Sequence, residues 1–211
     1  MTRPPPNPAS NPDDAEPDQE PASLDDCRRC ALWRNATQAV AGVGPRRAII
    51  MLVGAQPGDQ EDRQGKPFVG PAGALLDSAL EQAGVARRDV YVTNAVKHFK
   101  WEPRGKRRMH KTPAQHEIQA CNYWLEQELA EIRPRVVVAL GATALKAVLR
   151  DPHARLQDLL GKNVEHEGRL VVATWHPSYA LRAPEPASRE RARAEIADAL
   201  RLAGKLASGT S

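Results

Sequence analysis

Residues 47–54 read RAIIMLVG and residues 135–141 read RVVVALG. Each is a short apolar, β-branched run stopped by glycine, the pattern of a strand buried on both faces of a sheet. Two further runs, Asp89–Ala95 (DVYVTNA) and Leu170–Thr174 (LVVAT), have the same character. Helical periodicity lies between them. Leu75, Leu76, Ala79, Leu80 and Ala83 recur on one helix face before Gly84, and Ile118, Cys121, Tyr123, Trp124, Leu125 and Leu129 precede Pro134. A helix follows Gly141 through Leu149, and a last amphipathic one spans Ala187 to about Leu206, with Ala192, Ile196, Ala199, Leu200 and Ala203 inward. Strictly alternating strands and helices predict an α/β fold, a three-layer α/β/α sandwich around a central four-stranded parallel sheet. In such a fold the chemistry belongs beyond the C-terminal strand ends, here in segments 54–70, 94–112, 141–143 and 175–183.

The chain has 211 residues, 41% of them hydrophobic, and carries a formal net charge of +4. Residues 1–22 hold seven prolines, five acidic residues and only Arg3, a composition that predicts a disordered tail; residues 23–211 then form one domain. That domain holds 29 basic and 21 acidic residues, a net +8. No stretch has the roughly 20 apolar residues of a membrane span, and the N-terminus lacks the apolar core of a secretory signal. Three cysteines do not make a disulfide scaffold. A cytoplasmic, monomeric protein with reduced thiols is the expectation. Lys97, Lys100, Arg104, Lys106, Arg107, Arg108 and Lys111 crowd fifteen positions against Glu102 alone. Such a run is either a solvated loop or a phosphate-contacting segment.

The loop after the first strand, GAQPGDQED (54–62) and then GKPFVGPAG (65–73), fits neither GxGxxG nor a Walker loop. Phe68 stands in it outside any periodic stretch, either as an anchor on the core or as a stacking platform for a planar ring. Asn94 closes the second strand with paired donor and acceptor groups suited to an imide edge, and His176 follows the fourth in WHPSYALR (175–182). Cys27-x-x-Cys30 with the distant Cys121 reads as part of a metal site, for zinc or iron–sulfur.

Taken together, GAQPGDQED, GKPFVGPAG, TNAVK (93–97) and HPSYALR (176–182) resemble the uracil-DNA glycosylase superfamily, its iron–sulfur family-four branch in particular. The basic loop Lys106-Arg107-Arg108-Met109-His110 resembles the family X branch, whose members excise uracil and stay covalently bonded to DNA through a histidine of this loop. The resemblance implies a DNA-repair enzyme acting on uracil in single-stranded or double-stranded DNA, in the cytoplasm at the nucleoid. It further implies that Gln56, Phe68, Asn94 and His176 bind uracil. His176, Asp59 and His110 take the catalytic roles, with His110 as nucleophile. Lys106, Arg107, Arg108, Lys111, Ser178 and Arg182 contact DNA. Cys27, Cys30, His98 and Cys121 hold a structural [4Fe–4S] cluster, with His116 as an alternative fourth ligand. One position departs from the pattern: Ala55 stands where the family carries glutamate. That loss implies weakened excision, or a protein that binds uracil-DNA without excising.

Overall fold

In the computed structural model, residues 21–209 are described. The expectation of a disordered 1–22 tail falls almost wholly outside them. The sheet order is β2 (Val90–Asn94), β1 (Ile50–Gly54), β5 (Val136–Leu140), β7 (Arg169–Thr174) and β6 (Asn163–His166). The first four are parallel, in the places the apolar runs predicted. The sheet has five strands rather than four because β6 pairs antiparallel with the edge of β7. Its sequence NVEH is polar and partly exposed, so it carries no apolar-run signal.

The two sheet faces are covered separately. Met51, Val53, Val137 and Ala139 point toward α3 (Gln115–Ile132) and α4 (Ala142–Val148), where they meet Ile118, Leu125, Leu129 and Leu145. Leu52, Val92, Val138 and Leu140 face α2 (Pro71–Ala83) and α7 (Pro186–Ser208), meeting Leu76, Leu80, Ile196 and Leu200. Alternation of side chains along buried strands produces this three-layer packing. No described helix is long and apolar enough to cross a membrane.

The basic segment is built differently from the expected loop. Trp101–Arg104 and Arg107–His110 form an antiparallel hairpin, β3 and β4, turning at Gly105 and standing apart from the main sheet. Short helices α1 (Asp59–Gln64), α5 (Leu156–Leu159) and α6 (Pro177–Arg182), with 3-10 turns at Ala31–Arg34 and Arg87–Asp89, complete the described residues. The ends of β1 and β2, the hairpin and α6 all lie around one cavity.

Candidate active site

Gln56, Phe68, Asn94, His110, His176, Ser178 and Arg182 line one cavity of about 100 Å³, together with Gly58, Glu61 and Ala72. That volume is about three waters' worth of liquid, the scale of a small planar ring. Gly54 ends β1 between two of these groups. A Cβ there would lie 2.3 Å from Asn94 Oδ1 and 2.6 Å from Phe68 Cζ, so its bare backbone lets ring and amide converge. Asn94 is buried, and among the described residues no protein group bonds its side-chain amide. Its donor and acceptor are available to a ligand in the cavity. The Phe68 ring stacks near His176, centroids 5.9 Å apart.

His176 precedes α6, and the Ser178 backbone N–H donates to its Nδ1 at 3.1 Å. Arg182 donates to Ser178 Oγ at 3.1 Å, and that hydroxyl lies 2.8 Å from Nδ1. With Nδ1 accepting, the neutral ring carries its proton on Nε2. Burial, with smaller contributions from His110 and Arg182, pushes the pKa of His176 down to about 4. At neutral pH the site therefore presents an uncharged N–H donor.

His110 closes the cavity from the hairpin. Its pKa is lowered, first by partial burial of the ring and then by Arg182. The adjoining Lys106–Arg108 run is not among the causes. Several contacts hold the hairpin to the body, among them the Trp101 indole N–H donating to the Asn35 carbonyl at 2.8 Å. Gln56 donates through Nε2 to the carbonyls of Lys111 at 2.9 Å and Lys100 at 3.2 Å, while its Oε1 accepts from Lys100 N–H. Its side-chain amide is thus occupied with the hairpin base, although the residue lines the cavity as expected. Lys100 pairs with Glu117 at 2.8 Å. Arg108 turns inward, donating to Asp59 at 2.5 Å and to the fully buried Asp62 at 2.6 Å.

Two residues expected at the reaction have protein partners here. Arg108, read as a DNA contact, is spent on intramolecular ion pairs. Asp59, read as catalytic, is engaged by Arg108 and Arg63 and is not among the cavity-lining residues. Lys97, part of the apparent basic run, is wholly buried and donates to Thr93, the Asn94 carbonyl and Glu128. Lys111 pairs with Glu102 at 2.8 Å on the surface. Lys106 and Arg107 are exposed near the hairpin turn. Replacing Arg108 by alanine is expected to cost about 3 kcal/mol, because Asp62 would be left buried without its cation. Urea unfolding checks this. A phosphate contact would leave the urea midpoint unmoved and lower the salt slope of DNA binding by about 1 instead.

Sequence reasoning missed Glu61, a buried carboxylate on the cavity wall. Its signal was its place three residues after Gly58, the spacing of a helix-capping glutamate. Ala55 is half-buried after β1, and no other carboxylate is among the lining residues.

Cys27, Cys30, His98 and Cys121 are all buried, whereas His116 is exposed on α3. Cys27 Sγ accepts from Trp124 Nε1 at 3.1 Å, and Cys121 Sγ accepts from Lys97 N–H at 3.2 Å. Burial raises the Cys30 and Cys121 thiols to about 11 and about 12, and lowers His98 to about 4. Among the described residues no three such groups approach closely enough to hold a single ion. Three thiols and an imidazole are donor types that suit zinc and iron–sulfur alike.

A family model described as the uracil DNA glycosylase superfamily matches residues 41–201. The Type-4 uracil-DNA glycosylase of Thermotoga maritima is 40% identical over 157 residues, 74% of this chain and 78% of its own. That of Archaeoglobus fulgidus is 38% identical over 177 residues, covering 77% and 85%. A Type-5 uracil-DNA glycosylase of Pyrobaculum aerophilum is 34% identical over 167 residues, covering 72% and 70%.

Proposed function

We propose that this chain, which belongs to the uracil-DNA glycosylase superfamily, takes uracil out of the DNA stack, cleaves its glycosidic bond and is captured by the sugar left behind. The observation that carries the reading is the convergence of Phe68, Asn94, His176 and His110 on one ring-sized cavity. An extruded uracil stacks on Phe68 and is read along its imide edge by the Asn94 amide. As the C1′–N1 bond breaks, its electron pair passes to the base, where charge gathers on a carbonyl oxygen. The neutral His176 Nε2–H donates to that oxygen. The sugar becomes an oxocarbenium ion, electrophilic at C1′. A ring nitrogen of His110 gives its lone pair to C1′, and the other ring nitrogen releases its proton to water, leaving a neutral N-alkylated imidazole. Partial burial and Arg182 keep His110 unprotonated beforehand. Ser178 and Arg182 at the cavity, with Lys106, Arg107 and Lys111 of the basic segment, contact phosphates of single- or double-stranded DNA. The reading takes the protein to work as a monomer in the cytoplasm, at the nucleoid.

Labelled uracil-containing oligonucleotide, mixed with the protein and run on a denaturing gel, tests this reading. A heat- and detergent-resistant band supports capture; no band together with no alkali-labile site refutes excision. A second reading, binding without excision, is favoured by Ala55 together with the pairing of Asp59 and Asp62 with Arg108. Restoring the family glutamate by Ala55→Glu is expected to raise single-turnover uracil release about 10²-fold, the range of a positioned carboxylate. An unchanged rate would show that excision here does not depend on that carboxylate.

The reading also places a structural [4Fe–4S] cluster on Cys27, Cys30, His98 and Cys121. Iron bound there would tie the N-terminal segment to α3 and to the turn after Asn94, and supplies no step of the reaction. Iron and acid-labile sulfide analysis is expected to give about four of each per chain. Stoichiometric zinc without iron would overturn the assignment.

A further inference from the structure

Phe68 holds φ at 55°, in the left-handed region that a bulky side chain adopts only under constraint. The next two residues show the constraint. The N–H groups of Val69 and Gly70 both donate to Glu61 Oε1, at 3.0 and 2.8 Å, and Gly58 N–H donates to Oε2 at 3.1 Å. Successive amides after a left-handed residue form a concave anion-binding nest, and here an internal carboxylate fills it. Gly70 also caps the N-terminus of α2, whose dipole favours the same charge. From the other side, a Cβ on Gly73 would lie 1.9 Å from the Phe68 carbonyl oxygen, so α2 packs directly against the strained residue.

We infer that Glu61 is a positioning residue, whose carboxylate holds Phe68 in its left-handed backbone conformation and so sets the ring against Asn94 for stacking on the base. Glu61 links the two halves of the loop, since its own helix α1 is capped by Gly58, whose amide it binds, and the other two amides it binds lie just beyond Phe68. With three amide hydrogens on its two oxygens, it is committed to the backbone and does not replace the carboxylate absent at position 55. This inference deepens the uracil reading and rests on it.

The test uses full-length protein and free uracil as the probe. Glu61→Gln keeps an acceptor for two amides but turns an amide N–H₂ toward the Gly58 N–H. It is expected to raise the calorimetric Kd for uracil about tenfold or more, the scale of a lost charge-assisted hydrogen bond. In a Phe68→Ala background, with no ring to position, Glu61→Gln is expected to add little further loss. Equal loss in both backgrounds, or none in either, would overturn the inference. The chain has only two phenylalanines, so labelled Phe resonances report the ring without any ligand. Glu61→Gln is expected to move the Phe68 signals and leave those of Phe99 in place; unmoved Phe68 signals would overturn the inference. If wild-type protein fails to bind uracil while Phe68 still moves, the functional reading fails and the positioning role stands. Should Glu61→Gln not fold, Gly73→Ala displaces Phe68 from the opposite side. It is expected to weaken uracil binding and shift the same resonances, and wild-type behaviour in that variant would count against the inference.

Discussion

Replacing His110 by alanine is expected to abolish the denaturation-resistant adduct with uracil-containing DNA altogether, while uracil release continues. The reason is geometric and electronic. His110 reaches the cavity from a hairpin that Gln56, Lys100 and Arg108 fasten to the body of the protein. Its depressed pKa leaves a ring nitrogen with a free lone pair at neutral pH. Without that nitrogen, water captures the sugar cation and the protein turns over. Denaturing gels run beside an assay of free uracil separate the two steps. A persisting adduct in His110→Ala would remove His110 from the mechanism, and loss of both adduct and release would assign it to bond cleavage instead.

Replacing His176 by alanine is expected to slow uracil release about 10²- to 10³-fold, the effect of deleting a donor aimed at developing negative charge. Single-turnover release at saturating protein measures it. The same residue has a predictable effect on stability. Its pKa is about 4 when folded, against about 6.5 in an unfolded chain. Between those values the unfolded state binds a proton that the folded state refuses, so stability falls as pH drops from about 6.5 toward 4. The shift corresponds to about 3 kcal/mol. Above pH 7 both states are neutral, and below pH 4 both are protonated, so the change is confined to that window. Urea midpoints of wild type and His176→Ala across pH 4–7 check the sign, because the variant lacks this part of the acid sensitivity. Identical pH dependence in the two proteins would mean that burial does not hold His176 neutral.

The layered fold was legible because buried parallel strands demand apolar residues on both faces. Ile50–Gly54, Val90–Asn94, Val136–Leu140 and Arg169–Thr174 lie where their compositions place them. The polar edge strand Asn163–His166 was not legible, since one partner and one solvated edge leave its sequence free. Asn94, Phe68 and His176 were candidates from chain position, as Asn94 ends a strand and the other two lie in loops after strands whose C-terminal ends open on the same side.

The charged residues divide sequence from structure most sharply. Lys97, Arg108 and Lys106 look equivalent in a basic run, yet one is buried against Glu128, one is locked to Asp59 and Asp62, and one is exposed. A charge declares its sign locally, but its partner lies 31 residues away for Lys97 and 46 to 49 residues away for Arg108. The same holds for Glu61, whose work is visible only once the loop has folded back to bring two amides onto one oxygen. The sequence by itself determined the order of strands and helices, the end of the sheet that carries the chemistry, and the family resemblance, because these depend on local pattern. Only the tertiary structure decided which polar groups face the cavity and which are consumed in holding it, because that depends on pairing between distant residues and on burial.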